Sequence, residues 1–239
     1  MSQNESSVII TGASRGIGRE IALAFASKTD HPLLLVARSR EGLEETRQLC
    51  LDRGAGMTGL LLCDTTDPAE VENLEWPDGF PAPGVIVTNA GSFLYKKLAN
   101  TTPEEFRKQI DINLFSAVHM VSRFLDDLMQ VSGARIINIC SVSATHGLSD
   151  SGAYSASKHA LLGYTRSLRK ELKHSGVGVT AINLGQTYST SWEGSDIDPQ
   201  QLIDPRDVGD LIVSITRLSP RTVVEEILIQ PQQGRVPPM

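Results

Sequence analysis

Three side chains of this sequence have types and spacings suited to chemistry on one bound molecule: Ser141, Tyr154 and Lys158. Tyr154 and Lys158 are four residues apart, so on a helix they leave the same face one turn from each other. A phenol titrates near pH ~10, too high for ready proton exchange at neutrality, but a nearby ammonium favours the phenolate. A unit charge ~4 Å away is worth roughly 4 kcal/mol at an effective dielectric of ~20, equivalent to about three pKa units. A tyrosine beside Lys158 is therefore a usable acid or base. Taken alone, the pair suits two ordinary, partly exposed helix positions equally well, and the surrounding elements must decide.

Those elements alternate strand and helix. Residues 7–10 form a short apolar strand, followed at once by Thr11-Gly12-Ala13-Ser14-Arg15-Gly16-Ile17-Gly18 and then by helix formers over residues 19–28. Strand, glycine-rich turn and helix together aim backbone N–H groups and a helix N-terminus at a phosphate, which makes this loop a candidate pyrophosphate cradle. Its G-x-x-x-G-x-G spacing is one residue wider than the common dinucleotide fingerprint. A tight turn whose glycines only permit positive φ is the local alternative. A second strand, residues 31–37, ends at Arg38, and no acid stands there to accept from a ribose 2′-hydroxyl. Arg38 and Arg15 can instead converge on a 2′-phosphate, which favours NADP(H) over NAD. The third strand, residues 58–63, closes on Asp64 and Thr65, placed for an adenine ring; a cap or turn is the alternative for Asp64.

Residues 84–88 make a fourth strand running into Asn89-Ala90-Gly91, a small-residue turn that lets a cofactor pass close to backbone. Thr102-Pro103-Glu104-Glu105 carries helix-start signals. Residues 106–130 then read as one long helix, with Asn113 inside a stretch that Ile110, Ile112, Leu114 and Phe115 mark as buried. A fifth strand over residues 135–140 puts Ser141 at its C-terminal edge, where open α/β sheets bind ligands. The helix carrying Tyr154 and Lys158 runs to about His174. A sixth strand, residues 177–184, leads to Gly185, Thr187 and Ser189. Residues 190–203, polar and containing Trp192, interrupt the rhythm and form a candidate substrate loop, and residues 206–218 and 222–229 supply a last helix and strand. The alternation predicts an α/β fold in a single domain over residues 1–239: a doubly wound parallel sheet with right-handed crossovers and helices on both faces.

Composition narrows the partners. A chain of 239 residues with 40% hydrophobic content suffices for one large core. A net charge of -6, with no basic run, argues against nucleic acid or an anionic membrane surface as main partner. Cys50, Cys63 and Cys140 are far apart and read as buried thiols of a reducing compartment, with no metal expected. The polar first seven residues and the lack of an apolar run near ~20 residues predict a soluble, cytoplasmic protein.

In their order and spacing, T-G-x-x-x-G-I-G at residues 11–18, Asn89-Ala90-Gly91, Asn113, Ser141, Tyr154 and Lys158 resemble the short-chain dehydrogenase/reductase family over nearly the full chain. The resemblance implies a Rossmann-type sheet of about seven strands and an enzyme of C=O and CH–OH groups. It casts Tyr154 as proton donor to a carbonyl, Ser141 as orienter of that oxygen, and Lys158 as ligand of the nicotinamide ribose. Asn113 would hold a water linking Lys158 to solvent. It also implies a homodimer or homotetramer paired through the helices of residues 104–130 and of Tyr154, both more apolar than one-sided helices require. Two departures are visible: Thr88 stands where the family often has a first asparagine, and Leu184 precedes Gly185 where proline is usual, which predicts a looser loop. Ser189 replaces a common threonine and keeps a hydroxyl for the cofactor. The tail from Ser219 to Ile227, with Trp192, resembles bacterial sepiapterin reductase-type members, while other ketones and 3-oxoacyl compounds stay open. A nucleotide-binding regulator or scaffold that performs no redox chemistry is the alternative from a different class, since folds host many functions.

Overall fold

Short runs of Val, Ile and Leu bounded by glycine, proline or polar turns form seven strands, β1 (Ser7–Thr11), β2 (Leu33–Ala37), β3 (Thr58–Leu62), β4 (Pro83–Thr88), β5 (Arg135–Ile139), β6 (Gly178–Leu184) and β7 (Glu226–Ile229). In this computed structural model the described residues are 6–192 and 194–236; Glu193 of the candidate substrate loop, residues 1–5 and residues 237–239 lie outside them. The helices are α1 (Gly16–Lys28), α2 (Arg40–Asp52), α3 (Pro68–Glu72), α4 (Pro103–Ile110), α5 (Ser116–Met129), α6 (Gly152–Glu171) and α7 (Pro205–Thr216). All strand pairs are parallel, in the order β3-β2-β1-β4-β5-β6-β7. Ile9 of β1 pairs with Leu34 on one side and Ile86 on the other, so the strand order reverses between β1 and the central strand β4. That reversal opens a crevice beyond the strand ends.

Strands covered on both faces must be apolar on both, and β1, β2, β4, β5 and β6 are buried throughout or nearly so. α1, α2 and α7 pack one face around Phe25, Leu35 and Ile212, while α3, α5 and α6 pack the other around Met120, Phe124 and Leu168. Each such side chain, fully buried, contributes about 1.5–3 kcal/mol. Among the described residues no helix is long and apolar enough to cross a membrane.

Three expectations need correction. The long helix is not uniform: Asn113 sits in a π-helical turn, Asp111–Phe115, between α4 and α5, the kind of widened turn that often marks a functional position. Its apolar neighbours are not the buried ones. Asn113 is 1% exposed, whereas Phe115 is 42% exposed and Phe106 36%. Nor does the absent proline loosen the chain after β6. The strand runs on through Leu184, paired with Ile229, and the Gly185 N–H donates to the Ile229 carbonyl at 2.7 Å. Thr88, the other departure, has a use: its hydroxyl donates to Asn138 Oδ1 at 2.6 Å, and Asn138 Nδ2 donates to Thr165, a buried polar chain behind the strand ends.

Candidate active site

Every predicted site residue except Gly18 lines one cleft of about 1170 Å³ beyond the C-terminal ends of the strands. Gly18 lies behind it, where only glycine fits: an added Cβ would stand 2.3 Å from the Gly12 carbonyl oxygen and 2.6 Å from Asn89 Nδ2. Gly12 (φ +66°) and Gly16 (φ +57°) take the left-handed backbone that the turn requires. Thr11 fixes the loop from below, its hydroxyl accepting from the N–H groups of Asn89 and Ala90 at 2.9 Å each. α1 has no side-chain cap, so its first N–H groups are left for the cleft. Residues missed by sequence reasoning complete this end. Arg19 bonds Ser14 O (2.7 Å) and Glu45, tying the loop to α2, and Gly42 lets α2 approach, since a Cβ there would lie 2.9 Å from that of Ser14.

At the same end Arg15 and Arg38 are both exposed, and Arg38 Nη1 meets Asp64 Oδ2 at 3.3 Å. The acid absent from the end of β2 is thus supplied from the end of β3. Partial burial pulls the Asp64 carboxyl upward, but bonds from the Thr66 N–H and hydroxyl, with the Arg38 guanidinium, hold it below the usual carboxylate range.

At the other end α6 delivers Tyr154 and Lys158 beneath the turn that follows β5. Ser141 caps a short 3₁₀ turn, Val142–Ala144, and its Oγ accepts from the Ser143 N–H at 3.2 Å and hydroxyl at 2.9 Å. Burial raises the Tyr154 phenol above its ordinary value, only partly offset by the hydroxyls of Ser141 and Ser143. The downward pull expected from Lys158 is not among the influences on the phenol in the ligand-free chain. Lys158 Nζ donates to the Ile139 carbonyl at 2.8 Å and lies 5.9 Å from the Tyr154 ring centre. Burial of Lys158, 5% exposed, lowers its pKa to about 8. Ser143 was missed because a second serine two residues on looks like turn filler, and Phe93, edge-on to Tyr154 at 4.9 Å, carried no motif.

Asn113 and Lys158 flank Gly91, whose absent Cβ would stand 3.0 Å from Asn113 Oδ1 and 3.7 Å from Lys158 Nζ. The Asn113 amide is itself committed: Oδ1 accepts from the Ser92 N–H, and Nδ2 donates to Ser92 O and Gln109 Oε1. Of the described residues of the candidate substrate loop, only Thr190, Ser191 and Trp192 line the cleft. The loop's root is closed by Thr187 bridging Ile203 and by bonds of Tyr188 N to Ile203 O and Ile203 N to Gln186 O, 2.9 Å each.

The buried ammonium has a measurable cost. Below pH ~8 the folded protein holds a charge that the unfolded chain keeps in water; between about 8 and 10.5 only the unfolded chain holds that proton, so wild-type stability rises with pH through this window. Lys158→Met lacks this rise. Melting curves of the ligand-free proteins should therefore shift in favour of wild type by about 1–3 kcal/mol from pH 7.5 to 10.5, and parallel curves would refute the depressed lysine.

Comparison with known proteins matches this geometry. Residues 6–199 fit the family model described as short chain dehydrogenase. A sepiapterin reductase of Chlorobaculum tepidum is 30% identical over 238 residues, covering 96% of this chain and 97% of that protein. An alcohol dehydrogenase of Thermococcus sibiricus, solved with 5-hydroxy-NADP, superposes with a TM-score of 0.86 at 25% identity over 97% of this chain and 99% of that one. A short chain dehydrogenase of Mycobacterium paratuberculosis, bound to NAD, shares the fold with a TM-score of 0.84 at 21% identity, covering 96% and 97%.

Proposed function

The chain belongs to the short-chain dehydrogenase family of oxidoreductases, and from that premise we propose that it is an NADPH-dependent reductase of a small-molecule carbonyl. The observation that carries the reading is the convergence of Ser141, Tyr154 and Lys158 on one wall of the cleft whose far end holds the glycine loop, Arg15 and Arg38. The residues present fit a dinucleotide: the missing Cβ atoms of Gly12 and Gly18 leave room for the turn, and the uncapped α1 N-terminus offers donors to a pyrophosphate. Arg15 and Arg38 would hold a 2′-phosphate, Asp64 and Thr65 the adenine, and Asn89 to Gly91, Gly185, Thr187 and Ser189 the nicotinamide half. Reduced nicotinamide supplies a hydride when bound.

The chain's own part is orientation and proton delivery. Ser141 donates toward the carbonyl oxygen, and Ser143 holds the Ser141 hydroxyl in place. Tyr154, kept protonated by burial, gives its proton to that oxygen. Lys158 binds the ribose and, once no longer confined to the Ile139 carbonyl, stabilises the phenolate left behind. Residues 190–203 cover the substrate, with Trp192 as its apolar wall. The likeness to a sepiapterin reductase makes a pteridine side-chain carbonyl one substrate class; ketones and 3-oxoacyl thioesters are the others. Mixing the protein with NADPH and each class, and following nicotinamide absorbance, tests the reading: consumption with at least one class is expected. Tight NADPH binding without consumption by any of them would replace it with a nucleotide sensor.

A further inference from the structure

The C-terminal tail lines the cleft beside Gly185 and Gln186 and is anchored on both sides of a single cation. After β7 it packs on Gly185, where an added Cβ would lie 3.0 Å from Pro231 Cδ. It then reverses through a turn closed by the Gly234 N–H donating to Pro231 O at 2.9 Å, with Gly234 at φ +82°. Two residues on, the Gln186 side chain clasps the backbone of Val236 with both its amide atoms: Nε2 donates to Val236 O at 3.0 Å and Oε1 accepts from Val236 N at 2.8 Å. Val236 is 7% exposed, so the clasp is seated and not a surface contact.

Arg235 lies between the turn and the clasp, lines the cleft, and makes no hydrogen bond or ion pair with any described residue. Among the described residues, the cleft lining next to Gln186 in the chain carries no acid. The acids lining the cleft, Glu41, Glu45 and Asp64, belong to α2 and the end of β3, at the Arg38 end. Arg235 apart, the described lining that adjoins Gln186 in the chain or follows β7 is Leu184, Gly185, Thr187, Gln230 and Pro231, all uncharged. An exposed guanidinium at the cleft, next to a seated backbone and with no described partner for its fork, is suited to a planar anion.

We propose that Arg235 is a specificity-determining residue that binds an anionic group, a carboxylate first, on the carbonyl substrate. The proposal rests on the reductase reading and narrows its substrate class to oxo acids and similarly charged carbonyl compounds. The other anions within the cleft would be the cofactor's pyrophosphate and 2′-phosphate, assigned to the glycine loop with α1 and to Arg15 with Arg38, whereas Arg235 adjoins Val236, which is tied to Gln186 after β6.

The test compares 3-oxo acids of four to eight carbons with their ethyl esters, which carry the same ketone without the charge. Wild type should favour the acid in kcat/KM. Arg235→Gln should lower kcat/KM for the acid by roughly 10- to 100-fold, through KM, and change the ester less than about threefold. Gln186→Leu, which releases the clasp, should reproduce part of that loss and add nothing to Arg235→Gln. An equal effect on acid and ester, a preference of wild type for the ester, or a raised Kd for NADPH with unchanged KM would each overturn the assignment. Calorimetry of the acid with NADP⁺-saturated protein separates this from the reductase reading. Arg235-dependent binding without turnover removes the reductase and keeps the anion site; turnover without Arg235 dependence does the reverse, and no binding of the acid removes the site.

Discussion

Tyr154→Phe should lower turnover by roughly 10² to 10⁴, the range associated with general acid catalysis, while NADPH binds nearly as well as to wild type. The variant keeps the ring that meets Phe93 edge-on and loses only the hydroxyl beside Ser141 and Ser143. Packing is therefore preserved and the deliverable proton is not. The position of Lys158 sharpens the expectation. In the ligand-free chain Nζ commits one of its three N–H donors to the Ile139 carbonyl, and the phenol is the group that meets the Ser141 and Ser143 hydroxyls. Retention of more than about a tenth of wild-type turnover, under conditions where chemistry limits the rate, would mean that another group supplies the proton.

Arg38→Asp should reverse cofactor choice. Each charge-assisted contact to a 2′-phosphate contributes ~1.5–3 kcal/mol, so Arg15 and Arg38 together support a preference for NADPH over NADH of two orders of magnitude or more. Arg38 already has a partner in Asp64, and a phosphate must compete with that carboxylate, which places the effect toward the lower end. In the variant two carboxylates would face the phosphate, while the new one could accept from a ribose 2′-hydroxyl. NADPH affinity should fall by about 10² and NADH affinity should hold or rise. Equal Kd values for the two cofactors in wild type, or tighter NADH binding, would remove the NADP assignment.

Much of this site was legible because its chemistry depends on short-range spacing. A strand followed by a glycine-rich turn, an i, i+4 tyrosine and lysine, and a serine at a strand end are patterns that the backbone converts directly into position. What escaped the sequence depends on contacts far apart in the chain. Gly42 matters only because α2 packs on the loop at Ser14, and Gln109 because a π turn brings it beside Ser92 and Asn113. Neither contact leaves a periodic signal. The direction of the Tyr154 shift was hidden for a different reason: spacing puts Lys158 near Tyr154, but burial, which spacing does not report, raises the phenol. Arg235 is the extreme case, a tail cation whose place is set by a glutamine 49 residues earlier.

The most direct test of the central claim is to supply NADPH deuterated on each face of nicotinamide C4 in turn, with a carbonyl substrate that is consumed, and to locate the label. A reductase built on Ser141, Tyr154 and Lys158 predicts deuterium at the new carbinol carbon from one face only, with none lost to water. Tight binding of NADPH with no label transferred to any carbonyl compound would contradict it.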